Sequence, residues 1–259
     1  MFKKYWKFFV IFWSVVLVGI IGVFVFFWLI SAGKLGFMPT FEELENPNNR
    51  FASEVYFADG PIMNRYFEKE NRKYIEYREI PQSVIDALIA TEDVRFYDHS
   101  GVDVRGLFRV AKGLLTANTS AGGGSTISQQ LAKMLFPRES DLNVFELAIR
   151  KFREWVIAVR LEKSYTKEEI LTMYLNKYDF LNLAVGISSA ADIYFQVPLD
   201  SLKVEQAAML IGMAKNSSYY NPVRRPELTL NRRNVVLSQM YKYDKITREE
   251  CDSLKKLPL

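Results

Sequence analysis

From Phe8 to Ile30 the chain carries no charged residue, in an unbroken run rich in Phe, Val, Ile and Trp. A helix over such a run is long enough to cross a hydrocarbon layer about 30 Å thick. Lipid offers no partner to an open peptide group, so a run that crosses it must be helical. Lys3, Lys4 and Lys7 stand before it, and Lys34 is the only near charge after it. That asymmetry predicts a cytoplasmic tip over 1–7, a transmembrane helix over 8–30, and everything later on the outer face. Trp6, Trp13 and Trp28 include candidates for interfacial anchors. A cleaved leader would carry an apolar run of about 7–15 residues and a small-x-small site. Ser31-Ala32-Gly33 is a poor match, so an uncleaved anchor is expected.

With three lysines in the tip, residues 31–259 hold 31 of the 34 Lys and Arg against 30 Asp and Glu. That near balance excludes a general nucleic-acid binder. Basic residues cluster locally instead, at Arg150-Lys151-Phe152-Arg153, Arg224-Arg225 and Arg232-Arg233. One Cys and one His exclude a disulfide framework and a cysteine-held metal.

After the span, residues 31–80 read as a juxtamembrane linker with a small β element. Pro39, Pro47 and several Asn give a loop-like composition, 52–57 alternates as a strand, and Asp59-Gly60 signals a turn. Glu76 to Ile80 reads as a second strand stopped by Pro81. From there to about residue 242 the pattern is helical. One helix carries Val84, Leu88 and Ile89 and delivers Glu92 near its end; another carries Leu107, Val110, Ala111, Leu114 and Leu115. Ser125 or Thr126 is a suitable N-cap for 127–136. Further helices are expected over 144–161, 204–214 and 228–241, with an apolar buried segment at 184–195. Capping boxes open Thr166-Lys167-Glu168-Glu169 and Thr247-Arg248-Glu249-Glu250. The fold class is mainly α, with a small β element at its entry and one transmembrane helix before it.

Two segments carry chemistry. Glu92 and Asp93 sit where a helix gives way to a loop, beside Ile89, Phe96 and Tyr97. A carboxylate in a partly dry setting can act as a general base; a solvated acidic pair is the plainer reading. His99 is a candidate for orienting or protonating a group, or for a structural bond to backbone. Gly122-Gly123-Gly124-Ser125-Thr126 permits close backbone approach ahead of a helix start, a setting that favours anions. It lacks the Gly-Lys-Ser/Thr of a P-loop. Gln129 and Lys133, four apart, suit a shared face for sugar and phosphate. Arg150 and Glu154 are also i,i+4 neighbours, as an ordinary helix ion pair or as a second carboxylate steadied by cations. A glycosyl transfer with a charged transition state typically uses two carboxylates.

Taken in order, these segments resemble the peptidoglycan glycosyltransferases, glycosyltransferase family 51. The five motifs are Glu92-Asp93-x-x-Phe96-x-x-His99-x-Gly101, Gly124-Ser125-Thr126-Ile127-x-Gln129-Gln130, Arg150-Lys151-x-x-Glu154, Lys167-x-x-Ile170-Leu171-x-x-Tyr174-Leu175-Asn176, and Arg232-Arg233-x-x-Val236-Leu237. Upstream, Ala52 to Tyr56, Asp59-Gly60 and Asn71-Arg72 look like the entry of class A penicillin-binding proteins. The end, 243–259, resembles the start of the linker toward their transpeptidase domain, which is not expected in this chain; Ser253-Leu254-Lys255-Lys256 lacks the partner motifs of such a site.

The resemblance implies a lysozyme-like fold that polymerises lipid II into β-1,4 glycan with inversion. Glu92 matches the family's base and Glu154 its second glutamate. Lys133, Arg150 and Lys151 match diphosphate contacts; Arg109, Gln129 and Gln130 match donor-side contacts. Asp93, Phe96, His99, Ser125, Thr126 and Asn176 are the remaining substrate-binding positions implied. A divalent cation (Mg or Mn) held with the lipid diphosphate, cell-wall machinery partners and the inhibitor moenomycin follow from the same likeness. Three departures stand out. Phe180 is followed by Leu181 and Phe195 by Gln196, where the family usually has Gly, and the linker from Phe136 to Arg150 is longer, with Arg138 the candidate substitute for an Arg that the family often carries shortly before the third motif. A lysozyme-like hydrolase and a non-catalytic anchored scaffold are the competing readings.

Overall fold

The structure, a computed structural model, describes residues 2–40, 53–56, 62–66, 71–116, 123–135 and 143–259. It opens with α1 (Phe2–Ser31), whose stretch Tyr5–Ser31 contains an 18-residue window of mean hydropathy 2.8 and is long and apolar enough to cross a membrane. Its side chains are exposed along most of its length, and Ile30 at its end is buried.

The β element is small. β1 (Ser53–Tyr56) pairs antiparallel with β2 (Ile62–Tyr66), Ser53 opposite Tyr66, with a register shift at Val55/Tyr56. β3 (Asn71–Arg72) runs parallel to β4 (Ala184–Val185). The strand expected over Glu76–Ile80 is instead a 3-10 turn, Tyr77–Glu79. Glu76 and Glu79 close a capping box, with the Glu76 N–H donating to Glu79 Oε2 at 2.7 Å. A reciprocal cap satisfies the same peptide groups that a ladder would have used. The second strand lies earlier, at β2, which the sequence reading missed. The Asp59-Gly60 turn, Phe136, Arg138 and the first part of the long linker, to residue 142, lie outside the described residues.

The helical body follows as α2 (Gln82–Glu92), α3 (Val104–Leu115), α4 (Ile127–Leu135), α5 (Val144–Ser164), α6 (Lys167–Lys177), α7 (Ile187–Phe195), α8 (Val204–Met213), α9 (Pro226–Lys242) and α10 (Arg248–Leu254). Both expected capping boxes form; Thr166 accepts from the Glu169 N–H and Thr247 from the Glu250 N–H, each at 3.2 Å. Every residue of α8 from Ala207 to Met213 is buried. It is the central rod, packed on α9 and on α2, and α2 also packs on α9. A second group joins α4 to α5 and α6. One apolar cluster runs through both, from Val84, Leu88 and Phe96 through Leu131, Leu161 and Tyr174 to Leu210, Val236 and Met240.

Among the described residues, three junctions between elements take a left-handed backbone without glycine, one of them at Asp244 after α9, with φ 57°. Leu181, Asn182 and Leu183, between α6 and β4, have φ of 64°, 51° and 67°. Gln196, capping α7, has φ 56° and ψ 36°. These include both places where the resemblance expects Gly.

Candidate active site

α2 ends at Glu92, and the chain turns away at Asp93, whose φ of −156° and ψ of 75° break the helix. The two adjacent carboxylates therefore go to different places. Asp93 points into the body. Its Oδ2 accepts from the Ile127 N–H at 3.0 Å, so it caps the start of α4, where the helix dipole favours an anion. It also pairs with His99 Nε2 at 3.0 Å. His99 Nδ1 accepts the Gly101 N–H at 3.2 Å, so Nε2 carries the proton and donates to Asp93. The Gly101 carbonyl in turn accepts from Thr126 Oγ1 at 2.7 Å and Gln129 Nε2 at 3.3 Å. Phe96 is fully buried beneath, with Lys167 Nζ 4.3 Å over its ring. Lys167 also donates to the His99 carbonyl at 2.6 Å and pairs with Glu162.

Glu92 stays at the surface of a cleft, its side chain 14% exposed. Gln130 Nε2, on α4, donates to Glu92 Oε2 at 3.0 Å. Arg232 Nη2, on α9, donates to Glu92 Oε1 at 3.2 Å. Behind Gln130 the Tyr174 hydroxyl, on the nearly fully buried α6 side, donates to Gln130 Oε1 at 3.1 Å. Burial, and then the charge of Glu92, hold the Tyr174 hydroxyl well above the usual phenol range, so it remains a donor. Both oxygens of Glu92 are thus aimed by partners from two helices, one of them, Gln130, held in turn from a third. The aromatic setting expected for it is not what surrounds it: Phe96 is core and Tyr97 is exposed.

Glu92 opens onto a cavity of about 500 Å³. One wall is Gly123 and Ser125, from the glycine loop, with Arg109 of α3, whose Nη2 donates to the Gly123 carbonyl at 3.4 Å. Another is Arg232, Val235, Gln239 and Lys242 of α9, with Tyr243 and with Lys215 just after α8. Ser125 links this cavity to the second glutamate: Lys151 Nζ donates to Ser125 Oγ and to Glu154 Oε2, both at 2.9 Å. Glu154 therefore pairs with Lys151 at i,i+3 rather than with Arg150.

Of the fourteen positions expected from sequence, eleven fall into two layers. Glu92, Arg109, Ser125, Gln130, Lys151 and Glu154 meet around the cavity or connect to it directly. Asp93, Phe96, His99, Thr126 and Gln129 form its buried support. Asn176 lies buried elsewhere, where its amide exchanges two hydrogen bonds with Ile75, at 2.9 and 3.0 Å, tying α6 to the chain entering α2. Lys133 is exposed on α4 while Gln129 is turned inward, so the i,i+4 pair does not present one open face. Arg150 is half-buried on α5. Sequence reasoning did not place Arg232, Lys215, Gln239, Lys242 or Tyr174 in the site. A signal existed for α9: 232, 235, 239 and 242 recur at helical spacing from the fifth motif.

At the edge of the site Arg95 pairs with Asp103, and Asp103 Oδ1 accepts the Gly106 N–H at 2.9 Å. Burial pushes the Asp103 carboxyl up, but Arg95 and that N–H outweigh it and hold it below the usual carboxylate range. Among the described residues no group of three or more His, Cys, Asp or Glu side chains could hold a metal ion.

Comparison with known proteins identifies a family for the chain. The family model described as Transglycosylase matches residues 59–241. Penicillin-binding protein 1A of Escherichia coli is 37% identical over 215 residues, covering 83% of this chain and 25% of its own length. Penicillin-binding protein 1A of Haemophilus influenzae is 37% identical over 231 residues, covering 89% of this chain and 26% of its own. A crystal structure of the Haemophilus influenzae protein overlays at a TM-score of 0.45 with 23% identity, over 82% of this chain and 21% of that one. The chain spans about a quarter of the length of these relatives. It belongs to the transglycosylase family, the peptidoglycan glycosyltransferases, and is most like the N-terminal transglycosylase region of a class A penicillin-binding protein.

Proposed function

We propose that this chain polymerises lipid II, a disaccharide-peptide on an undecaprenyl diphosphate, into β-1,4 glycan at the outer face of a bacterial cytoplasmic membrane. The observation that carries the reading is the Glu92 carboxylate, held by Gln130 and Arg232 at the edge of a cavity of about 500 Å³. Glu92 takes the proton of an acceptor sugar 4-hydroxyl. That oxygen attacks the anomeric carbon of the growing chain from the face opposite its leaving group. The C–O bond to the lipid diphosphate breaks, and the configuration inverts. Lys133, Arg150 and Lys151 receive the charge that develops on the departing diphosphate. Glu154, fixed by Lys151, supports the reacting sugar electrostatically. A divalent cation bound with the lipid diphosphate would supply Lewis-acid help to the departure of that group.

The membrane setting follows from α1 and from apolar side chains left open elsewhere. Phe108 and Leu115 of α3 are 74% and 89% exposed, and Val144 and Phe145 at the start of α5 are 85% and 71% exposed. We place these faces in the outer leaflet, where they let a lipid tail stay in hydrocarbon while its head group reaches Glu92. Moenomycin binds on the donor side, and proteins of the wall-building machinery are the expected partners.

The test is Glu92→Gln in the full chain. Glutamine keeps the size of the side chain and can still meet Gln130, but has no basic oxygen. Lipid II turnover on a gel should fall by about 100-fold or more, with helical circular dichroism unchanged. Elongation at the normal rate by that variant would remove the assignment. Release of short muropeptides from finished wall by the unmodified chain would favour a hydrolase instead.

A further inference from the structure

Tyr174 belongs to the fourth motif, yet it stands two hydrogen bonds from the carboxylate that the first motif supplies. Its hydroxyl donates to Gln130 Oε1 at 3.1 Å, and Gln130 Nε2 donates to Glu92 Oε2 at 3.0 Å. The side chain is buried in α6, and its ring stacks on Tyr178 with centroids 5.9 Å apart. A rigid core position is thereby wired to a side chain at the edge of the cavity.

An amide has two ends of the same size, and its partners decide which end faces which. Both partners of Gln130 decide alike. An ionised Glu92 offers acceptors only, so it calls for the NH2 end. A buried phenol that finds no acceptor loses its bond and keeps the cost of leaving water. Turned round, the amide would set its oxygen against the carboxylate. It would also leave the Tyr174 proton with no acceptor among the described residues. Burial, and then the charge of Glu92, keep that proton on the hydroxyl. A donor held against a carboxylate favours its charged form.

We propose that Tyr174 is a positioning residue for the base: it fixes the Gln130 amide with its NH2 toward Glu92, so that the carboxylate meets the acceptor hydroxyl aimed and unprotonated. This rests on the reading of Glu92 as the base. Other charges face Glu92 as well. Arg232 donates to its second oxygen, and Arg109, Lys215 and Lys242 line the cavity with Tyr243. Asp93, next in the chain, turns inward to His99, and Tyr178 lies behind Tyr174. All of them stay in place when the Tyr174 hydroxyl is removed.

The experiment is the pH dependence of lipid II polymerisation by the full chain with Tyr174→Phe, Gln130→Leu and both changes together. Phenylalanine keeps the stacked ring and removes the hydroxyl alone. The amide is then free to turn, and the carboxylate, with its donor loosened, takes up a proton more readily. The acidic limb of kcat/KM should move up by about 0.5–1 pH unit. The plateau should stay within about threefold, with the acceptor KM unmoved. Gln130→Leu should move the limb at least as far. Adding Tyr174→Phe to it should move the limb no further, because the hydroxyl acts only through the amide. Tyr178→Phe controls for the loss of a buried hydroxyl, since its own donates to the Met213 carbonyl at 3.1 Å. Its limb should stay in place. A limb unmoved in Tyr174→Phe, moved again in the Gln130→Leu background, or moved as far in Tyr178→Phe overturns the relay and leaves the base assignment standing. If Tyr174→Phe does not fold, the unmodified chain decides by NMR of 15N-labelled glutamine. The Gln130 NH2 should exchange with water about tenfold more slowly than an exposed glutamine amide; exchange at the exposed rate overturns the relay. An unmodified chain that does not polymerise lipid II removes the base assignment, and the role of Tyr174 with it.

Discussion

Leu181 and Gln196 stand where the family usually has Gly, and both keep the left-handed backbone that a Gly would adopt. A side chain there costs roughly 1–2 kcal/mol, because Cβ crowds the next carbonyl. Local bonds hold the first loop against that strain: Leu181 N–H donates to Asp179 Oδ1 at 2.7 Å, and the Tyr194 hydroxyl donates to the Phe180 carbonyl at 2.7 Å. The two sites should respond differently to glycine. Gln196 is exposed, so Gln196→Gly relieves strain and gives up little packing. After the added entropy of an unfolded glycine, a gain of about 0.5–1 kcal/mol remains. Calorimetry should show Tm rising by about 2 °C. Leu181 is half-buried, so Leu181→Gly loses apolar contact and its Tm should stay within about a degree. A fall in Tm for Gln196→Gly would mean that the cap is not strained. The departures from the family pattern were readable in the sequence, but their φ angles were not, since an L residue in this region is uncommon and only the surrounding bonds enforce it.

At the scale of elements, most helices announced themselves. The two Thr-x-x-Glu boxes and the apolar period of α2 are local signals, and they put Glu92 at a helix end with no tertiary information. Glu76-x-x-Glu79 was the converse case: it mimics a short alternating strand, and only the closing of its cap distinguishes it. The site's polar partners were unreadable for another reason. Arg232 meets Glu92 across 140 positions of chain, and Gln130 across 38. No local pattern encodes such a meeting, whereas the family motifs point to its members one by one. Gly101 shows how tightly the elements close on one another. Its φ is +93°, and a Cβ there would lie 2.8 Å from the Ala158 carbonyl and the Val159 nitrogen in the backbone of α5. Gly101→Ala must therefore push the loop and α5 apart, and Thr126 and Gln129, which bond to the Gly101 carbonyl, move with it. The expected loss is about 2–3 kcal/mol, read as a Tm lower by about 5–10 °C. An alanine variant that melts within a degree of the parent would show that this approach has slack.

At the scale of the whole molecule, the long apolar helix is joined to the helix that carries the second glutamate. Phe152 of α5 meets Phe26 and Phe27 of α1 edge-on, with ring centroids 5.4 and 5.7 Å apart, and Trp155 on its own helix at 5.2 Å. About two turns after Phe152, Arg160 donates to the Ser31 carbonyl and hydroxyl at 2.8 Å and to the Pro39 carbonyl at 3.1 Å. Phe152 lies between Lys151 and Arg153 in sequence, so the face of α5 that grips α1 alternates with the face that holds Glu154 through Lys151. Packing of this kind transmits a tilt of one helix to the other, because close-packed side chains resist sliding. Phe152→Ala removes the aromatic wedge while Arg160 keeps the helices in register. It should cost about 2 kcal/mol of local stability, below the full loss for a wholly buried aromatic, since Phe152 is half-buried. In detergent or nanodiscs, amide exchange over residues 28–36 should speed up by about tenfold, and Trp155 emission should shift to the red. If α1 also steadies Lys151 and Glu154, lipid II turnover should fall several-fold at constant acceptor KM. Unchanged exchange over 28–36 would mean that the two helices are held by Arg160 and the backbone alone, and that the aromatic contact is incidental.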